Sequence, residues 1–212
     1  HAAAASALRS VEWSRVDEAR ARRSSEPASA QPSAVDSGRG PLYGYLVPPD
    51  FEVYPELVRF LEAGGRGRVM ADTFRIAGAL HPRGTVFLPV ALNDELVERM
   101  QQSGLASEAG VIAVASALTE TGPDLGTGGA AELQLPRVAL IGGAAVSSNS
   151  FGAHRFFLDE RLGLPHDVIN DATLAEVSLE QWDVIVAPDG RRVGRDLGEA
   201  GRRSLRTWIE QG

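Results

Sequence analysis

The 212-residue chain contains neither cysteine nor lysine. Without cysteine there is no disulfide, no thiolate zinc site and no cysteine nucleophile, while the redox compartment stays open. Without lysine there is no Schiff-base chemistry and no phosphate-loop lysine; all 21 basic residues are arginine. No apolar run approaches the roughly 20 residues that a membrane-spanning helix needs. The opening HAAAASALRS lacks a basic segment and a long apolar stretch, so it does not read as a signal peptide. Positive charge is also in deficit. A net charge of −7 and a pI of about 5.2 disfavour coating of nucleic acid, which needs a basic surface.

What is present is an ordinary globular composition, 43% apolar and 23% charged, in a chain long enough to bury a core. Residues 1–23 favour a helix, Ala-rich and free of Gly and Pro, with Leu8, Val11, Glu12, Arg15 and Val16 at helical spacings. This helix reads as the tail of an upstream domain. Residues 24–41, SSEPASAQPSAVDSGRGP, form a disordered Ser/Ala/Pro linker. Both ends of the chain read as cut: it starts on His1, and RRSLRTWIEQG stops on Gly212 where a helix would turn into a next strand.

Residues 42–136 alternate strand and helix and predict a small α/β linking layer. LYGYLV, RVMAD, TVFLPV and GVIAVASAL read as strands, and YPELVRFLEAGG as a short helix stopped by glycines. Asn93 is the expected N-cap of DELVERMQQSG, with Leu92 packing on Val97. Residues 121–136 read as a surface connection. The last region, 137–212, opens on VALI; Ser150 is the expected cap of FGAHRFFLDERLG, in which Phe151, Leu158 and Leu162 share a face. HDVIN and DVIVA supply two more strands. A final helix over residues 196–211 sets Leu197, Gly201, Leu205 and Trp208 on one stripe. Connections of this kind predict a parallel sheet covered by helices.

Such sheets place function just beyond the C-terminal ends of their strands. There the sequence offers GGAAVSSNS, whose Ser147, Ser148, Asn149 and Ser150 precede a helix, and the pair Asp189 and Gly190. A glycine-rich turn entering a helix can hold a carboxylate or phosphate on its N–H groups; the same serines are also ordinary helix caps. Asp189 could orient a ligand hydroxyl or amine, or simply form an Asp-Gly turn. No catalytic residue is assigned: GxGxxG, GK[ST] and GxSxG are all missing. The four histidines, His1, His81, His154 and His166, fit no metal-ligand spacing, His154 reading as a helix-surface residue and His81 as a loop residue. The arginines at 191, 192, 195, 202, 203 and 206 read as a solvated face.

RVALIGG, SSNSFGAHRFFLDERLGLP, LEQWDVIVAPDG and LRTWIEQG together resemble the class I glutamine amidotransferase-like domain appended to certain bacterial zinc carboxypeptidase-like (carboxypeptidase A-like) proteins. YGYLVPPD, ELVRFLEAGG, HPRGTVFLPV and SALTETGPDLGTG are similar to the segment that precedes this domain. The resemblance implies a flavodoxin-like sheet over residues 137–212, truncated at its C-terminal end. It also implies that the chain is a non-catalytic accessory region of a hydrolase that cleaves C-terminal peptide bonds. Zinc, its HxxE…H ligands and the catalytic Glu would then belong to a peptidase domain upstream of His1, the partner within the same polypeptide. The cysteine of active amidotransferases would follow a later strand beyond Gly212, and Asp189 stands where those enzymes often carry Gly. A secreted or periplasmic location is implied as well. The alternatives are a self-contained amidase or amidotransferase, and a peptide- or small-molecule-binding module using the turn before Ser150 together with Asp189.

Overall fold

The computed structural model describes residues 42–108, 110–126, 128–190, 195 and 197–211. The helix predicted over residues 1–23, the linker over 24–41 and the arginines Arg191 and Arg192 lie outside these. The architecture is mixed α/β: a five-stranded antiparallel sheet, a three-stranded parallel sheet, a two-stranded hairpin and, among the described residues, four α-helices. All described residues belong to one compact unit, Ser37–Gly212.

Strands β1 (Gly44–Val47), β2 (Gly67–Met70), β5 (Val86–Pro89), β6 (Ile112–Val114) and β7 (Ala130–Leu133) form the larger sheet in the order β6-β1-β5-β2-β7. Every pairing within it is antiparallel. Helix α1 (Tyr54–Glu62) buries Leu57, Val58 and Phe60, and helix α2 (Leu96–Ser103) buries Leu96 and Met100. Gly65, after α1, lies so close to the Phe60 ring that any Cβ there would overlap it. The opposite sheet face is closed by the hairpin of β3 (Phe74–Ile76) and β4 (Ala79–His81), whose Phe74 and Ile76 join Leu46, Met70, Phe87, Val114 and Leu125 in one core.

Several expectations are corrected here. Asn93 does not cap α2; that position is Glu95, in left-handed backbone with φ 55°. Asn93 is buried instead, accepting from the Arg66 N–H and donating to the Arg66 and Pro89 carbonyls. A side chain that satisfies two chain segments at once is held more firmly than one at an exposed helix start, and it welds the start of β2 to the end of β5. His81 is no loop residue: it ends β4 with its ring stacked on Phe74 at 5.2 Å, and burial lowers its pKa. The supposed surface connection 121–136 contains β7, which pairs with the outer edge of β2.

The smaller sheet is parallel, as predicted: β8 (Val138–Gly142) lies between β9 (His166–Asn170) and β10 (Val184–Val186). Alternation along β8 divides the two faces. Val138 and Leu140 pack with Leu158, and Phe151, Leu162 and Val186 join them, on the side of helix α3 (Ser148–Phe156). Ala139 and Ile141 pack with Ile169, Leu174, Trp182 and Leu197, joined by Leu205 and Trp208 of helix α4 (Gly198–Gln211). The predicted long helix does share its apolar face, but it widens into a π-helical turn over Phe157–Leu162 and stops at Gly163, φ 60°.

Candidate ligand crevice at the ends of the parallel strands

In chain order the parallel sheet runs second-first-third. Open sheets of this order hold ligands in a crevice outside the carboxyl ends of the first and third strands, a place that falls here at the ends of β8 and β10. The structure brings both sequence-predicted elements to that place, the turn after β8 and the Asp189 segment after β10. It then joins them to each other. The Ser147 N–H donates to the Asp189 carbonyl at 2.8 Å, and the Asp189 N–H donates to Ser150 Oγ at 2.9 Å.

Ser150 is therefore not the helix cap. Ser147 holds that position, with φ −70° and ψ 127°, and makes no side-chain cap bond. The Ser150 hydroxyl is claimed by the neighbouring loop because the end of β10 comes down directly on the first turn of α3. Asp189 takes part through its main chain, which leaves its exposed carboxylate outside both bonds. Ser148 and Asn149 are exposed on the first turn of α3, and Gly190 is half-buried.

The residue that most shapes the crevice was not singled out from sequence. Asp171 follows β9 and is only 7% exposed, and its Oδ2 accepts from the Ala145 N–H. Gly143 passes over it with φ 126°, so close that a Cβ would overlap the carboxylate. Asn170 Oδ1 accepts from the Ala172 N–H at 2.9 Å, turning the chain so that Asp171 points under the loop. The sequence holds only an Asn-Asp pair at a strand end, which reads as a turn; the register of Asn170 with Gly142, the first residue of a Gly-Gly turn, comes from the structure.

The opposite end of the sheet is a clamp of a different kind. Arg137 donates to Asp183 through its backbone N–H, Nε and Nη2, at 2.8, 3.1 and 2.7 Å. These bonds, the side-chain ones first, hold the Asp183 carboxyl at about 2. Trp182 Nε1 donates to Asp167 of β9 at 2.8 Å, and Trp208 Nε1 to the Trp182 carbonyl at 3.2 Å.

At the crevice a ligand could meet the first N–H groups of α3 and the Asp189 carboxylate, but among the described residues no nucleophile–base pair faces it. His154 Nδ1 lies 2.8 Å from the Ser150 carbonyl, not its hydroxyl. His166 Nδ1 faces the Leu164 carbonyl at 3.2 Å. Among the described residues no three His, Asp or Glu side chains converge as a metal-ligand set, so these residues do not fit a zinc site. No helix among them is long and apolar enough to cross a membrane. Comparison of the chain with protein-family models, with curated proteins and with solved structures finds no match in any of the three.

Proposed function

We propose that this chain is a non-catalytic accessory region of a zinc metallocarboxypeptidase-like hydrolase, its residues 137–212 forming the first part of a flavodoxin-like, class I glutamine amidotransferase-like sheet. The strand order β9-β8-β10 agrees with the beginning of that fold, in which the second strand flanks the first on one side and the third on the other. The observation that carries the non-catalytic reading is the crevice itself. Its loops are laced together by the Asp189 main chain, Ser147 and Ser150, and the buried carboxylate of Asp171 is held by the Ala145 N–H. The groups so engaged are not poised for a reacting molecule, and only the Asp189 carboxylate and the first N–H groups of α3 stand outside these bonds.

The reading is tested on the purified chain, supplied with zinc and offered peptides and glutamine. No C-terminal residue is released and no glutamine is hydrolysed; turnover of either substrate would sink the proposal. Stability supplies the second arm. Ser150→Ala removes the acceptor of the Asp189 N–H and lowers stability by about 1 kcal/mol, whereas Asp189→Ala, which keeps both main-chain bonds, changes it by less than about 0.5 kcal/mol. The second reading, a binding module, is favoured by the exposure of Ser148 and Asn149 at the start of α3. Weaker binding of an anionic peptide by Ser148→Ala would establish it.

A further inference from the structure

At the β2–β7 edge of the five-stranded sheet, the face that carries Leu46 and Phe87 opens into a groove of about 410 Å³. Arg66 and Arg68 project on that face two residues apart, with about 6.6 Å between such positions along a strand. Arg68 stands opposite Glu132 in the register, and Ala130 follows on the same face. Leu92, itself exposed, and Gly126 and Gly128 complete the lining. The groove therefore combines two guanidinium groups and one carboxylate with a small apolar wall, a local excess of positive charge on a chain whose net charge is −7.

The internal bonds of these arginines leave most of their donors uncommitted. A guanidinium carries five N–H donors. Arg66 Nη2 meets Glu132 at 2.8 Å in a pair about half exposed on both sides, and Arg68 Nη1 makes a long 3.3 Å bond to the Gly126 carbonyl. An exposed pair of this kind is weak and yields readily to a better anion. Gly128 adds an independent observation. A Cβ there would meet no atom within 4 Å and its backbone is not left-handed, so neither packing nor conformation requires glycine. Its bareness keeps the groove open beside the arginines.

We propose that this groove binds a small anionic ligand, its carboxylate or phosphate taken by Arg66 and Arg68 and its apolar remainder resting on Leu92 and Ala130. Planar forks of N–H donors suit such anions, which they can grip through two bonds at once. The proposal stands apart from the accessory role argued above and survives its failure.

The experiment is an NMR titration of the isotope-labelled full chain with two probes, N-acetylalanine and inorganic phosphate. The expected result is saturable shifts of the Arg68 Nε–Hε and of the Gly126 and Gly128 amides, with a dissociation constant of about 1 mM. Saturation by one probe alone assigns the anion to that chemistry. Glu132→Gln tightens binding several-fold by removing the competing carboxylate, Gly128→Val weakens it by filling open space, and Arg68→Gln abolishes it; melting curves check that each variant is folded. No saturable shift with either probe, no tightening in Glu132→Gln, or unchanged binding in Gly128→Val overturns the proposal.

Discussion

At the scale of single residues, the groups that do most in this protein connect segments distant in sequence. Asn93 joins two strands, Asp171 supports a glycine turn, and Asp183 grips Arg137 across the start of the parallel sheet. Residue type disclosed none of these roles, since Asn before acids reads as a cap and Asp at a strand end reads as a turn; the partner that decides the role lies dozens of positions away. Asp183 gives a pH dependence whose sign can be worked out. Its carboxyl is held at about 2 in the folded chain, below its ordinary 3.8. A depressed folded pKa means stability fully present above about 3.8 and lost as the pH falls through about 2. On acidification across that window the melting temperature of the wild type should fall more than that of Asp183→Asn, by a few degrees at most, since both partners are about half exposed. Parallel melting curves of the two proteins check it, and an identical acid response would remove the pair from the account of stability.

At the scale of elements, legibility followed the hydrophobic pattern. VALI is an apolar run bounded by turns, which marks a strand covered on both faces, as β8 is, while HDVIN and DVIVA are shorter apolar stretches in strands that stay partly exposed; all three are strands, parallel as expected. The five-stranded sheet was harder, because an alternation of strands and helices does not say which strands pair. β1 pairs with β5 and β6, skipping β2 altogether. Edge strand β7, AAEL, carries no β-branched or aromatic residue and is only partly buried, so nothing in its composition announced it. The β3–β4 hairpin escaped for a related reason. Its two-residue turn has φ 52° at Ala77 and φ 76° at Gly78, the mirror-image turn that favours Asn-Gly, but the sequence supplies Ala-Gly. Left-handed backbone is tolerated by Asn far better than by Ala. Ala77→Asn should therefore stabilise the protein by about 0.5–1 kcal/mol. Chemical denaturation measures this directly, and a loss of stability would show that the turn is not of this type.

At the scale of the whole chain, the question is whether two sheets of opposite character behave as one folding unit. The sequence divides into a linking layer over residues 42–136 and a second region over 137–212, and all the described residues of both lie in the unit Ser37–Gly212. One physical link between the two parts is aromatic: Phe51, just before α1, stacks on Phe157, just after α3, with ring centroids 5.6 Å apart and an interplanar angle of 23°. Tyr54 meets Phe51 edge-on at 6.1 Å. Phe51 and Phe157 are 38% and 43% exposed, so their contact contributes through ring geometry more than through complete burial. Pairs of this kind are worth about 0.5–1.5 kcal/mol beyond the area they cover, enough to couple two layers that each hold their own core. Heating should give one calorimetric transition for the folded unit. Phe157→Ala should lower its stability by about 1 kcal/mol and broaden or split the transition, because the loss falls on the junction and leaves both cores intact. Two transitions already present in the wild type would mean that the sheets melt independently and that the stacked rings merely touch.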